Sequence, residues 1–413
     1  SRMNDTKVFQ ALLGTTEPWM VEAVEMDTAR ETVRIELGLK AGTVWACPAC
    51  QKRMHVHGWE RRRWRHLDTQ QFKTWIEAEV PTVRCDEHGA QQVRVPWAEP
   101  YARFTMLYEE VAIALLQGMT TAGVTKRLGI SWDEADGIKQ RAVRRGQSRQ
   151  TARVMKHLRV DEKHAGHKLC FTIVSCVDDG KARVVYAAPG RDQETLDAFW
   201  HSLTAEQLEG IESVAMDMCE AYSNSVFLHV PGGRQKLVYD RYHVAQQMNK
   251  AVDEVRRSEQ AAMATEDAKT MKGSRYWWLY HPKHLPRKVK SRFHRLQDIA
   301  HKTAKAWEFK ELLRDFWDCP DRETGHEHLR EWLRRALRSC LEPVRKVARM
   351  CKRHLENLLT FFAHRSTNAS AEAVNSRIQS LINQACGYRN PHRLITEIFF
   401  HYGDLDLVPR FPQ

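Results

Sequence analysis

Two short motifs pair metal-ligand side chains, Cys47-Pro-Ala-Cys50 and Cys85-Asp-Glu-His88. In each, two residues separate the donors, a spacing that one tight turn presents to a single ion, and the four donors together make a tetrahedral set for Zn²⁺. A closed set leaves no position for substrate, so its expected role is structural.

A second group of residues points to hydrolytic or transfer chemistry at phosphorus. Asp161 and Asp217 each end an apolar, strand-like run, where an acid is costly to bury without a cation. Two carboxylates about 4 Å apart repel by about 4 kcal/mol at an effective dielectric near 20, so a cluster of them stays ionised only around a cation. Mg²⁺ is the expected ion, in a two-metal site that activates a water or a 3′-hydroxyl and stabilises the leaving oxygen. A third carboxylate is expected from the helix containing Asn368 to Gln379, which aligns Glu372, Asn375 and Gln379 on one face. Asp178 and Asp179 are explained by turn chemistry, whereas Glu162, Glu220 and Asp240 remain competitors.

The elements that must position these residues are legible as changes of period. Residues 1 to about 100 hold short β-rich runs around the Cys and His pairs. From 104 to 147 the apolar spacing is helical, and residues 119–134 have a helix-turn-helix layout: Gly129 marks the turn, and Ser131 with Glu134 makes a capping box for the second helix. From Leu158 the period becomes about two, over 158–161, 169–177 and 182–188, with Asp178-Asp179-Gly180 as a hairpin turn. A helix at 194–203 and strands at 213–217 and 236–240 complete a β-β-β-α-β-α-β order, and beyond Tyr242 the pattern is almost wholly helical.

Charge indicates the partner. In 413 residues, Lys and Arg number 64 against 52 Asp and Glu, a net +12 that favours polyanions, nucleic acid first. Arg61, Arg62, Arg63 and Arg65 interleave with Trp64, a mixture suited to phosphate contact and stacking as well as to a solvated face. The second helix of the helix-turn-helix carries Lys139, Gln140, Arg141, Arg144 and Arg145, and residues 281–310, with Lys288, Lys290 and Arg292 among them, carry a net +7. His55-Val56-His57 imitates the metal motif of relaxase-like nucleases, but no helix with a nearby Tyr follows it. The first residues lack the apolar run of a signal peptide, and no stretch approaches 18 apolar residues, so no membrane association is expected. Ten unevenly spaced cysteines read as reduced thiols and metal ligands in a reducing compartment.

Taken in order, these motifs resemble the ISL3 family of DDE transposases. The resemblance runs from Cys47/Cys50/Cys85/His88 through the helix-turn-helix and Val160-Asp161-Glu162 to Met216-Asp217-Met-Cys-Glu-Ala-Tyr222. It continues with Asp240-Arg-Tyr-His243, Lys272-Gly-Ser-Arg-Tyr276, Glu372-Ala-Val-Asn375 and Gly387-Tyr-Arg-Asn390. It implies an α+β chain whose RNase H-like catalytic domain has a mixed five-stranded sheet, is interrupted by an all-helical insertion, and follows a zinc ribbon and a helix-turn-helix domain. The corresponding boundaries are 1–100 for the ribbon domain, 101–150 for the helix-turn-helix, 151–255 and 366–413 for the catalytic domain, and 256–365 for the insertion. Asp161, Asp217 and Glu372 match the family's catalytic triad, binding Mg²⁺ or Mn²⁺, and Asp240 and His243 match its supporting acidic-x-x-His element. Trp332 is one of several tryptophans matching a residue that such insertions sometimes place near a flipped base, although a core position is the default for each. The implied activity is two-metal phosphodiester cleavage and 3′-hydroxyl strand transfer on terminal inverted repeats of an insertion sequence. The implied partners are double-stranded repeat and target DNA, with a homodimer or higher assembly on that DNA, in a bacterial cytoplasm at the nucleoid. A catalytically silent DNA-binding regulator and a structure-specific nuclease of the same fold are the alternatives.

Overall fold

A computed structural model of the chain describes residues 5–166, 169–178, 180–364, 369–385, 388 and 390–410, without the side chains of Pro282 and residues 369–372. It divides into two compact units, Ser1–Gln150 with Phe399–Gln413, and Thr151–Ile398.

In the first unit a sheet has the order β1 (Trp19–Asp27), β2 (Thr32–Leu39), β6 (Lys73–Cys85), β5 (Val56–Arg65), with β7 (Gly89–Gln92) also paired to β6. The β2–β6 pairing is parallel and the others antiparallel. Alternation along β2 buries Val33, Ile35 and Leu37 against Trp19, Trp64, Ile76 and Trp97. The indole rings of Trp19 and Trp64 meet Trp97 edge-on at 4.8 and 5.4 Å. A two-stranded ribbon, β3 (Trp45–Ala46) with β4 (Arg53–Met54), projects the first cysteine pair.

Three helices follow, Met106–Gly118, Thr121–Leu128 and Trp132–Ser148. The expected capping box at Ser131 and Glu134 is present, and Gly129 ends the middle helix in the left-handed region at φ 65°. Gly146 lets the C-terminal segment pass close by, because a Cβ there would lie 2.6 Å from that of Leu405.

The second unit holds a mixed sheet of order β10 (Lys181–Pro189), β9 (Leu169–Asp178), β8 (His157–Ala165), β11 (Ser213–Met216), β12 (Leu237–Tyr239). β8, β9 and β10 are antiparallel neighbours, whereas β8, β11 and β12 run parallel. The strands therefore occur in the β-β-β-α-β-α-β order that the period changes indicate. Gly180 takes φ 76° in the β9–β10 turn, while Asp179 lies outside the described residues. Leu158 and Val160 of β8 share a core with Val174, Cys176, Leu196, Trp200, Tyr222 and Val226, under helices Gln193–His201 and Glu220–His229. The helix Ala369–Gln384 packs against β8, β9 and β10. Helices from Arg241–Ala262 to Phe361–His364 extend the core through Phe293, Phe309, Phe316, Trp332 and Val344.

Candidate active site and metal centre

The metal centre is built by two turns. Cys47 leaves β3, and the N–H of Gln51 bonds the Cys47 carbonyl at 2.9 Å while Gln51 takes φ 60°, folding Cys50 back beside it. Cys85 ends β6, and Gly89, at φ 67°, begins β7 directly after His88. The Cys50 and Cys85 sulfurs lie 3.7 Å apart, and His88 Nδ1 lies 3.5 Å from Cys85 Sγ and 4.0 Å from Cys47 Sγ. All four donor atoms fall within 4.8 Å of one another, and three thiols with one imidazole are the soft-to-borderline set that Zn²⁺ takes. Backbone N–H groups of Cys50 and Ala49 lower the Cys47 thiol, favouring the thiolate that a metal requires.

The acids are brought together by strand register. β11 pairs in parallel with β8 through Val214↔Leu158 and Ala215↔Arg159, so the same register carried two positions on sets Asp217 opposite Asp161. β11 pairs with β12 through Met216↔Tyr239, and the next position sets Asp240 opposite Asp217. The Asp240 N–H extends that ladder to the Met216 carbonyl at 2.9 Å. Neighbouring strands are about 4.8 Å apart, so the three aspartates form a row across the sheet. Asp161, expected at the end of its strand, instead lies within β8, which runs on to Ala165 beside β9, whereas Asp217 and Asp240 directly follow the carboxyl ends of β11 and β12. Binding sites of open α/β sheets gather at such ends.

The environments of the three differ. The half-buried Asp161 accepts from the Glu162 N–H (2.8 Å) through Oδ1, and its Oδ2 meets Lys163 Nζ (3.1 Å) and Asn375 Nδ2 (2.6 Å). Asn375 is 5% exposed, and its Oδ1 meets no donor among the described residues, leaving a buried oxygen donor beside the acids. Burial pushes the Asp217 carboxyl upward, His243 opposes the shift, and the Asp161 charge adds to it. Asp240, 3% exposed, pairs with Arg159 at 2.7 Å and accepts the Tyr242 N–H at 2.8 Å, capping helix Arg241–Ala262. Two carboxylates in register with a spare amide oxygen are hard donors of the kind that Mg²⁺ or Mn²⁺ takes.

Glu372 falls in helix Ala369–Gln384, three residues before Asn375, but its side chain lies outside the described residues, as do Gly387 and Arg389. Of the competing acids, Glu162 alternates to the other side of β8 from Asp161, and Glu220 is exposed at the start of helix Glu220–His229. Lys163 and Arg159 are contacts that the sequence reading did not single out. Their signal was the period of two that sets Arg159, Asp161 and Lys163 on one face of β8.

Several side chains expected to face DNA are turned inward. Lys139, 2% exposed, donates to Thr121 Oγ1 at 2.8 Å and lies over the Phe400 ring. Arg145 pairs with Glu99 (2.6 Å) and Glu109 (3.1 Å) and donates to the Leu407 carbonyl, while Arg141 Nε donates to Glu109 at 2.8 Å. For Arg141 and Arg145 the reason is the buried Glu109 carboxylate, which would be costly without these cations. Gln140 and Arg144 are the exposed members of that set. On β5, Arg65 is buried and donates to the Thr74 carbonyl at 3.1 Å. Arg61, although exposed, pairs with Glu36 and Glu77 (3.1 and 3.0 Å), and the half-buried Arg62 donates to Gln92 at 2.6 Å. Arg63 is exposed, 3.7 Å above the Trp75 ring. Lys288, Lys290 and Arg292 are exposed on helix Arg287–Ile299. Trp332 is a core residue whose indole N–H donates to the Phe309 carbonyl at 2.9 Å.

Comparison with known proteins covers each of these parts. Residues 158–398 match a family model described as a transposase of the DDE type, ISL3 class. Residues 43–88 match the zinc finger of the transposases of IS204, IS1001, IS1096 and IS1165, and residues 93–143 match the helix-turn-helix domain of transposase family ISL3. The chain is 26% identical over 426 residues to a transposase for insertion sequence element IS1557 from Mycobacterium tuberculosis, covering 95% of this chain and 94% of that protein. It is 24% identical over 404 residues to a transposase for IS1001 from Bordetella parapertussis, covering 96% and 98% respectively. Among the described residues no helix is long and apolar enough to cross a membrane.

Proposed function

Since the chain belongs to the ISL3 family of transposases, we propose that it binds the terminal inverted repeats of an insertion sequence, cuts at the element's ends and joins them to target DNA through the freed 3′-hydroxyl. The observation that carries this reading is the parallel β8–β11 register, which continued two positions sets Asp217, just past β11, opposite Asp161 within β8, with Asn375 of the Glu372 helix bonded to Asp161. The strand order β10-β9-β8-β11-β12, antiparallel then parallel, supports an RNase H-like catalytic domain over 151–255 and 366–398, with 256–365 as its helical insertion and Phe399–Gln413 grouped with the first unit.

Asp161, Asp217 and Glu372 would hold the divalent ions, Mg²⁺ or Mn²⁺. When bound there, such ions activate the attacking oxygen and stabilise the leaving one in an in-line displacement. Lys163 and Asn375 fix the Asp161 carboxylate by its Oδ2, so its orientation does not depend on a flexible loop. Asp240 acts at one remove, holding Arg159 and starting the helix that carries His243. Cys47, Cys50, Cys85 and His88 would bind a structural zinc ion that ties β3–β4 to the β6–β7 turn. Arg63, Gln140 and Arg144, with Lys288, Lys290 and Arg292, are the proposed DNA-facing groups. A transposon has two ends, each needing a site, so a dimer or higher assembly forms on DNA.

The test is cleavage and joining in Mg²⁺ on a duplex carrying the element's own terminal repeat, comparing the unaltered chain with Asp217→Asn. Products that vanish in the variant while repeat binding persists are expected. Repeat binding without products from either protein would replace this reading with a DNA-binding regulator, and cleavage without joining would replace it with a nuclease.

A further inference from the structure

Beyond the Asp161 face, the opposite side of the same strand carries a different donor set. Glu162 and His164 alternate with Asp161 and Lys163 along β8, and Cys170 of β9 is the direct cross-strand partner of His164. The Cys170 sulfur lies 3.9 Å from Glu162 Oε2 and 3.9 Å from His164 Nε2, and all three donor atoms fall within 4.8 Å of one another. Their chemistry is one thiol, one imidazole and one carboxylate. We propose that Glu162, His164 and Cys170 form a second transition-metal site, separate from the ribbon and from the Asp161 row, for a borderline-soft divalent ion such as Zn²⁺.

The distances suit that ion. Zinc bonds of about 2.3 Å to sulfur and about 2.0–2.2 Å to nitrogen or oxygen, at tetrahedral angles, require donor separations of roughly 3.5 Å. The two pairs made by the Cys170 sulfur need to close by only a few tenths of an ångström. The β8–β9 ladder supplies the rigidity, since Glu162↔Thr172 and His164↔Cys170 are consecutive same-face pairs, and Thr172 Oγ1 is bonded to the buried Tyr222 hydroxyl at 2.7 Å. His164 is exposed, so an ion can reach the site from solvent and its imidazole can turn to meet it. Arg191, whose charge acts on both Glu162 and Cys170, is also exposed and can move into water as the cation binds. Three protein ligands leave the fourth tetrahedral position to water. A thiolate donor selects against Mg²⁺, so this site and the hard-oxygen row opposite it sort their ions by chemistry. Binding would place a cation against Glu162, one residue from Asp161, and so couple this site electrostatically to the acid row.

The experiment titrates Co²⁺ into the full chain with its ribbon zinc in place and Mg²⁺ in excess. Thiolate-to-cobalt charge-transfer absorbance and metal content by mass spectrometry are the readouts. The expected result is one cobalt per chain with a single-thiolate band while the zinc content stays at one. Cys170→Ser should abolish that band, and His164→Ala, an exposed change that leaves packing intact, should weaken cobalt binding at least tenfold. Absence of a thiolate band in the unaltered chain, its survival in Cys170→Ser, or unchanged affinity in His164→Ala would each overturn the proposal.

Discussion

Arg145 separates two roles that net charge alone does not distinguish. A phosphate contact would be exposed, whereas the Arg145 side chain is 6% exposed and sits between Glu99, Glu109 and the Leu407 carbonyl. Arg145→Met keeps the apolar stem but removes three hydrogen-bonding interactions. Breaking a buried ion pair from one side costs about 3–5 kcal/mol. Glu109 keeps Arg141 at 2.8 Å and Glu99 is partly solvated, so the lower end applies, about 3 kcal/mol. With a urea slope of about 2 kcal/mol/M, the midpoint for the first unit falls by about 1.5 M. The companion assay is the slope of log affinity against log salt on a repeat duplex, where each phosphate contact contributes about 0.9. Arg145→Met should leave that slope unchanged under native conditions. Arg144→Ala should do the opposite, changing stability by less than about 0.5 kcal/mol and lowering the slope by about 0.9. An Arg145→Met protein with an unshifted midpoint and a slope reduced by that amount would refute the structural role.

Three further outcomes follow from other parts of the chain. His66 bonds Thr105 Oγ1 at 2.9 Å, and burial, with the Arg65 charge adding, lowers its imidazole to about 4. The unfolded chain then binds the extra proton between about pH 6.5 and 4, so stability is lost as the pH is lowered through that window, by up to about 3 kcal/mol. His66→Gln should flatten this part of a urea-midpoint-against-pH curve, and a curve of unchanged shape would contradict the assignment. Cys50→Ser should reduce the zinc measured per chain by one and expose β3–β4 to proteolysis, because a two-stranded ribbon of this size does not hold itself together. Asp240→Ala removes both the Arg159 partner and a helix cap, and should destabilise the second unit by about 3 kcal/mol or more in chemical denaturation.

Much of the architecture is written in local signals. The change from a period of 3.6 to two at Leu158 locates β8 to β10, and the Ser131–Glu134 capping box locates the start of helix Trp132–Ser148. The Cys and His spacing identifies the metal centre whose four donors the structure brings together. Each signal is carried by residues near one another in the chain, and so survives without knowledge of the fold.

Burial of charge is different, because it depends on partners from distant segments. Lys139 and Arg145 read as DNA contacts from helix composition, yet Glu109, Phe400 and Leu407 draw them inward. The acids show the same division. Residue type and the apolar runs before them single out Asp161 and Asp217, but β8 runs on past Asp161 to Ala165, it is the β8–β11 register that sets the two side by side, and the Asp161–Asn375 bond spans 214 residues. Sequence by itself determined the elements and the chemistry that each carries. Tertiary structure decided which charges meet, because a Coulomb partner is chosen by distance in space, which local sequence does not encode.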